Sequence, residues 1–410
     1  MKKSLINLNI DKNIPFLLAC SFGPDSMCLF DLLIKNKIKF VVCHVNYHKR
    51  AISNLEQYYL TKLCKKNNVQ IEILDTSSLK KEGNFQNWAR EIRYSFFAKC
   101  ALKHNIYNLL VAHQQDDLFE TYFMQKERKG YVRYYGLNKI SFLNDLKVFR
   151  PLLNYTKKEL QKYDDENNVP YSLDISNQSD DYKRNYIRHH IINSLSNEDR
   201  FYLLNEINYM NKIQEEKITK LSSYFSSEFL EVLKLKQLSF EEFELCLYNY
   251  LSLQKLNISI SKVFAKELYK NLFSNKSNIA IKLDNEYCYY QEYGKIIIRK
   301  EHKQYLYKID KKGKYVFDEF EIDFSIGGED RNINDSDYPL TICPAKKEDE
   351  YFINGYKVSI RRLFIDFKMP MHLRNVWPVI KNKDGKIIYI PRYREKYIDN
   401  HKSVFKIKLN

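Results

Sequence analysis

Residues 14–26 read Ile14-Pro15-Phe16-Leu17-Leu18-Ala19-Cys20-Ser21-Phe22-Gly23-Pro24-Asp25-Ser26. The apolar run from Ile14 to Cys20 predicts a short buried strand, and Ser21 to Asp25 an abrupt polar turn. From about Ser26 onward Met27, Leu29, Phe30, Leu32 and Leu33 recur at helical spacing, which predicts an amphipathic helix. A turn that leaves a buried strand and opens a helix gathers unbonded backbone N–H groups at the positive end of the helix dipole. It is an anion site, with phosphate as the usual occupant. An ordinary turn capped by Ser and Asp fits the same few residues, so the decision rests on what surrounds them.

On the carboxyl side the pattern repeats. Ile38 to Val45, Val69 to Leu74 and Tyr107 to Ala112 read as apolar strands, separated by helices over Asn54 to Lys66 and Gln86 to His104 and followed by one over Asp116 to Lys126. Strands alternating with helices at these intervals predict right-handed βαβ units and a doubly wound parallel sheet, an α/β fold. Ligands of such sheets bind beyond the carboxyl ends of the strands, which is where the polar motifs of this chain fall.

The turn Ser21-x-Gly23-x-Asp25-Ser26 has no Walker lysine, and neither a Walker nor a dinucleotide glycine pattern occurs elsewhere. It resembles the pyrophosphate loop of the N-type ATP pyrophosphatases, usually S-G-G-x-D-S. That resemblance implies that Ser21, Phe22, Gly23, Pro24, Asp25 and Ser26 hold the phosphates of ATP. Phe22 departs from it, standing where the pattern has glycine. A positive φ there puts strain on a bulky side chain.

Two further strand ends carry chemistry. The second strand leads into His44-Val45-Asn46-Tyr47-His48-Lys49-Arg50. Its two histidines lack a third metal ligand, so the reading is a crevice rim that orients nucleotide or RNA, with a plain polar loop as the competitor for Tyr47 and Lys49. The fourth leads into His113-Gln114-Gln115-Asp116-Asp117-Leu118-Phe119-Glu120-Thr121. Asp117 and Glu120 share a helix face, and paired carboxylates at the mouth of a nucleotide crevice offer the hard oxygens that a phosphate-bridging Mg²⁺ takes. Asp116 reads as an acid that satisfies the helix dipole.

Asn87, Arg90 and Tyr94 lie at helical spacing in Asn84-Phe85-Gln86-Asn87-Trp88-Ala89-Arg90-Glu91-Ile92-Arg93-Tyr94, a face suited to ATP or RNA backbone or simply to solvent. Arg184 and Arg188 are one helical turn apart, placed either to clamp phosphate or to pair with Asp180 or Asp181.

Composition narrows the class. At 410 residues the chain is long enough for two or three domains. Its eight cysteines are scattered without a C-x-x-C pair, as expected of reduced core residues in a cytoplasmic protein and not of structural zinc or an iron–sulfur cluster. The amino-terminal residues lack the apolar core of a signal peptide, and no window has the ~20 apolar residues of a membrane span. Lys and Arg number 67 against 51 Asp and Glu, a net +16, beside 33 tyrosines, which suits a polyanionic partner. From Tyr351 to Asn410 there are fourteen Lys/Arg against four Asp/Glu, so more than half of the excess lies in the last sixty residues.

Residues 196–273 read as helical, while 278–299 and 314–324 alternate as strands do, and 327–330 and 332–339 are turn-rich. The expected organisation is a catalytic domain over 1–195, a helical domain over 196–275 and a basic α+β region over 276–410 with its core at about 340–410.

Taken in order, S-F-G-P-D-S (21–26), H-V-N-Y-H-x-R (44–50), N-x-x-N-W-A-R-x-x-R-Y (84–94), H-Q-Q-D-D-x-x-E-T (113–121), R-P-L-L (150–153), D-I-S-N (174–177) and R-N-x-I-R-H (184–189) resemble the tRNA(Ile)-lysidine synthase family. Arg361 to Asp366, Lys368 to Pro370, Arg374 and Trp377-Pro378 resemble its tRNA-binding carboxyl-terminal domain. Where the family has paired histidines this chain has His113-Gln114.

The resemblance implies an ATP-dependent ligase. AMP is transferred from ATP to the C2 oxygen of the wobble cytidine in a CAU anticodon, and the ε-amine of free lysine then displaces it, changing codon reading from AUG to AUA. It further implies Mg²⁺ on Asp25, Asp117 and Glu120, stabilisation of developing charge by His113, Arg90 or Arg184, and Glu120 as acceptor of the lysine proton. The implied partners are tRNA(Ile), free L-lysine and a second copy of the chain as a homodimer, with no membrane. The rival readings are another enzyme with this loop, such as a tRNA thiolase or an amide-forming synthetase, and a non-catalytic RNA-binding relative. A thiolase requires a reactive cysteine at the crevice, with Cys20 and Cys43 as candidates.

Overall fold

The computed structural model describes residues 6–49, 51–81, 83–128, 130–143, 145–173, 183–256, 258, 260–276, 278–301, 303–324, 333–346, 348–353, 355–391, 393 and 405–409. They divide into two compact units, Met1–Lys217 and Ile218–Asn410. Arg50, the D-I-S-N motif at 174–177, Asp180, Asp181 and the turn at 327–330 lie outside the described residues.

The first unit runs β1 (Phe16–Ala19), α1 (Pro24–Lys35), β2 (Phe40–Asn46), α2 (Ser53–Lys66), β3 (Gln70–Asp75), α3 (Phe85–His104), β4 (Asn108–Val111), α4 (Gln115–Arg128), β5 (Ile140–Leu143), β6 (Leu146–Phe149), α5 (Lys157–Asn167) and α6 (Lys183–His190). A further helix, α7 (Asn197–Lys220), starts in this unit. The strands form one sheet in the order β3-β2-β1-β4-β6-β5. Its pairings are parallel except for the β5–β6 edge. The fold is therefore the expected doubly wound α/β sheet with an antiparallel hairpin added. Four-residue strands are too short to show a period, which is why the hairpin has no expectation in the sequence.

Alternation along β1 sends its side chains to two cores. Phe16 and Leu18 pack with α1 and α5 through Met27, Leu29, Phe30, Leu160 and Tyr163. Leu17 packs on the other face with Tyr94, Phe97, Cys100 and Ala101 of α3. Such two-sided burial explains why the central strands read as unbroken apolar runs. The helices between them are capped by their own sequence: Asn84 accepts from Gln86 N, Thr156 and Glu159 form a capping box, and Asn105 and Asn168 end α3 and α5 in the left-handed region.

In the second unit, Leu230–Glu231, Lys295–Lys300, Tyr287–Glu292 and Ile279–Lys282 form a four-stranded sheet, to which Lys262–Leu272 is tied by Gln291 Nε2 donating to Asn271 O at 3.1 Å. A second sheet orders Tyr307–Ile309, Leu340–Pro344, Pro378–Lys381 and Ile387–Tyr389, and a third pairs Phe320–Asp323 with Lys314–Val316 and Phe405–Ile407. Tyr307–Ile309 thus shares a sheet with strands from 340 to 389, and the strands at 314–323 share one with Phe405–Ile407. All eight cysteines are buried and free, and among the described residues no helix is long and apolar enough to cross a membrane.

Candidate active site

The sheet order reverses at β1, with β2 on one side and β4 on the other. Chains leaving the carboxyl ends of β1 and β4 therefore diverge and open a crevice. Residues 21–26 follow β1 there, and residues 112–117 follow β4.

After β1 the chain turns at Phe22 with φ +65°. This is the left-handed region expected from the glycine of the usual pattern, and it costs a bulky residue about 1–2 kcal/mol. The strain is offset because the Phe22 ring is only 5% exposed and lies in the core beneath the loop. Phe22 O also accepts from Ser172 N at 3.0 Å. Pro24 starts α1, so Asp25 and Ser26 occupy its first turn. Ser26 Oγ donates to Gly23 O at 2.9 Å and accepts from Ser21 N at 3.3 Å, while Gly23 N lies 3.4 Å from Ser21 Oγ. The two serines thus hold a tight ring of main chain at a helix start, an arrangement that suits a phosphate.

Below it sits Asp25, whose Oδ1 is buried and has no hydrogen-bond partner among the described residues. Burial, reinforced by Asp117 and opposed by Lys157 and Arg188, pushes its carboxyl up to about 7. Deeper still, Asp164 on α5 is fully buried, and burial next to Asp25 pushes it up to about 8.

After β4, His113 Nδ1 accepts a hydrogen bond from Arg150 Nε at 3.1 Å. A guanidinium only donates, so the neutral ring carries its proton on Nε2 and presents a donor there. Burial, with Arg150, Arg184 and Arg93 adding to it, pushes the imidazole down to about 4 despite Asp117, and it is uncharged at neutral pH. At Gln114 the side-chain oxygen accepts from Asp116 N at 2.7 Å, and the backbone N–H donates to Asp117 Oδ2 at 3.0 Å. These bonds fix the first turn of α4. Asp116 is more than a dipole partner, since Arg200 of α7 meets it at 2.7 Å.

Glu120 is fully buried, with Arg184 Nε donating to one oxygen and Arg188 Nε to the other. Arg184 Nη2 also reaches Asp117 Oδ1 at 3.1 Å, and Arg188 Nη2 lies 3.6 Å from the same atom. Burial raises the Glu120 carboxyl above its ordinary range against the pull of both arginines. Arg184 and Arg188 thus both meet carboxylates of α4, while Asp180 and Asp181, the partners weighed from the sequence, lie outside the described residues.

The fold thus brings Asp25, His113, Asp117, Glu120 and Arg184 to one crevice. Arg90 stands apart, exposed on α3 with its guanidinium 5.1 Å from the Tyr94 ring, and its charge bears on Arg150. His44 and His48 do not converge: His44 Nδ1 donates to Cys20 O at 2.9 Å, and His48 pairs with Asp75 at 2.8 Å. Arg188 is weighed beside Arg184 from their spacing but given no role in the reaction, and Arg150, which the sequence does not single out, had its place in R-P-L-L as a signal. Lys157 and Asp164 sit in a helix that reads as a charged surface and gave none.

Among the described residues no three His, Cys, Asp or Glu side chains group as a metal cage. Mg²⁺ does not require one, since it takes one or two carboxylates and completes its shell with phosphate and water. Asp25, desolvated and unpartnered beside Asp117, fits that use. Glu120 does not, because both of its oxygens are taken by guanidiniums, which also makes it a poor proton acceptor.

The parallel-dominated sheet with a tight turn and helix after its first strand fits the PP-loop class, and residues 2–195 match the family model of the PP-loop domain. The chain is 36% identical over 307 residues to a tRNA(Ile)-lysidine synthase of Mycoplasma mycoides, covering 71% of this chain and 75% of that protein. It belongs to the tRNA(Ile)-lysidine synthase family. A relative of that name from Mesoplasma florum is 44% identical over 194 residues, 46% of this chain and 48% of that protein, so that match spans about half of the relative's length. One from Staphylococcus aureus is 28% identical over 414 residues, 93% of each.

Proposed function

We propose that the chain uses ATP to activate the wobble cytidine in the CAU anticodon of tRNA(Ile) and joins free lysine to its C2. The observation that carries this reading is the meeting of the Ser21–Ser26 loop with Asp25, Asp117 and His113 across one crevice, in a chain of this family. The C2 oxygen attacks the α-phosphorus, the bond to the β-phosphate breaks, and pyrophosphate leaves. The ε-amine of lysine then bonds to C2 and loses a proton as the C2–O bond to AMP breaks.

The ring of Ser21, Gly23 and Ser26 main chain holds the departing pyrophosphate. Asp25 and Asp117 hold Mg²⁺, which when bound neutralises phosphate charge. His113 donates from Nε2 to an oxygen that gains charge, and being neutral it does so without titrating near pH 7. Glu120 is a positioning group that keeps Arg184 and Arg188 turned to the crevice. The thiolase alternative lacks its nucleophile: Cys20 and Cys43 are buried, and burial pushes the Cys20 thiol up to about 11. Catalysis belongs to residues 1–195, tRNA is gripped by the basic carboxyl-terminal region, and the setting is the cytoplasm.

The test is incubation with ATP, Mg²⁺, radiolabelled lysine and a tRNA with a CAU anticodon. Label enters RNA only when all are present, and a tRNA with G for the wobble C takes up none. Labelling without ATP, or pyrophosphate release indifferent to RNA, overturns the reading.

A further inference from the structure

We propose that Tyr47, Phe85 and Trp88 form a platform on which an unpaired base of the RNA, next to the reacting nucleotide, stacks. The inference rests on the reading that RNA is the substrate, and it names how that RNA is held. Tyr47 follows the last residue of β2, Phe85 opens α3, and Trp88 lies one turn further along that helix. Their ring centroids are 5.8 Å (Tyr47 to Phe85), 6.2 Å (Tyr47 to Trp88) and 5.9 Å (Phe85 to Trp88) apart. The Tyr47 hydroxyl donates to Ala89 O at 2.9 Å, which pins the end of β2 to α3 and holds the three rings in register.

These rings do not behave as core. Phe16, Phe97 and Phe149 of the same unit are at most 9% exposed, whereas all three platform residues are only half-buried. The surroundings are cationic. The ammonium groups of Lys49 and Lys81 lie 5.2 and 5.3 Å from the Phe85 ring, and Arg90 and Arg93 stand exposed along α3. Arg93 is close enough to influence both the Tyr47 hydroxyl and His113, and Arg90 to influence Arg150. The residue after β2 and the start of α3, which follows β3, both lie at the carboxyl edge of the sheet, the edge on which the crevice opens. Aromatic rings for bases between cations for phosphates is the arrangement that holds single-stranded RNA. Four exposed cations exceed what one nucleotide requires once its phosphates occupy the Ser21–Ser26 loop, so the occupant is an RNA base and not the adenine of ATP.

The chain has two tryptophans, and the other, Trp377, is 3% exposed with its indole N–H donating to Pro391 O. Emission changes that persist in Trp377→Phe report on Trp88. An RNA hairpin with a CAU loop is titrated into the full-length protein and then tested as substrate for pyrophosphate release. The hairpin quenches Trp88 emission and ATP alone does not. Trp88→Ala removes the quench and raises KM for the hairpin about tenfold, the size expected for one lost stacked base, with a smaller change in kcat. Trp88→Phe, which keeps a ring, restores KM to within about twofold.

Quenching by ATP alone, an unchanged KM in Trp88→Ala, or a Trp88→Phe variant as impaired as Trp88→Ala overturns the platform. Wild-type protein that quenches with the hairpin yet releases no pyrophosphate overturns the proposed reaction and leaves the platform standing.

Discussion

Glu120 has none of its surface exposed and meets two guanidiniums, whereas Arg361 and Arg362, in the helix Ile360–Asp366 of the second unit, both stand exposed. The same contrast runs through the two regions. In the first, charges are desolvated and fixed against named partners, which is what positioning a reaction requires. In the second, Arg361, Arg362 and Lys368 stand exposed, which suits a long polyanion and tolerates imprecision. If the first region acts by geometry and the second by charge density, as proposed, substitutions in them should fail differently.

The largest separation is expected from Asp25→Ala and Asp117→Ala. Each should lower the rate of pyrophosphate release by about 10³-fold or more, with tRNA affinity within about twofold of wild type. Loss of tRNA binding in either would erase the contrast. Next comes Glu120→Gln, which leaves two guanidiniums facing a neutral amide in a buried site. Breaking such a pair costs about 3–5 kcal/mol, with the low end expected here because Arg184 is 42% exposed. Chemical denaturation measures it, and an unchanged midpoint would make the Glu120 network ornamental.

For the second region, deleting 351–410 would also remove strands shared with 307–344, so neutralisation is the cleaner probe. The triple change of Arg361, Arg362 and Lys368 to Ala should weaken tRNA binding about tenfold and lower the salt slope by about 2, with turnover at saturating tRNA preserved. A fall in that turnover would show that this surface also works by geometry. Phe22→Gly relieves about 1–2 kcal/mol of backbone strain but forfeits about 3 kcal/mol of burial. The net expectation is a loss of about 1–2 kcal/mol, and a gain in denaturation midpoint would mean that the ring contributes little.

The smallest effect concerns Asp164. The native state keeps its proton up to about pH 8, while the unfolded chain releases it near the ordinary value of 3.8. Between those values the folded form binds more protons, so stability declines as pH rises through that window. Asp164→Asn should raise Tm more at pH 8 than at pH 5. A constant difference across pH would assign its effect to packing.

Most of the first unit was legible because its signals are local and agree with one another. Apolar runs marked the strands, the 3.6-residue period marked the helices, and the site motifs fell at strand ends where an α/β sheet puts its crevice. Even the strained Phe22 could be read, as a departure from a glycine pattern. What stayed hidden depends on distance in sequence. Nothing near Glu120 announces that Arg188 will reach it across the fold, and Asp164 sits in Lys-Tyr-Asp-Asp-Glu, a string that reads as solvent until α5 is laid against α1. The helical reading of 196–273 missed Leu230–Glu231, because a two-residue strand has no pattern of its own and exists only through its partner Lys295–Ile296.

The arginines on Glu120 and Asp116 have a consequence for how the protein is made. Every strand of the first sheet has been translated by Phe149, yet Arg184, Arg188 and Arg200 come later. At roughly 5–20 residues per second, about 3–10 s of synthesis separate a sheet able to assemble from the cations that its buried acids await. A nascent chain stalled in that interval would carry the acids of the crevice without their cations, so the crevice acquires its charge balance only after the sheet has been made.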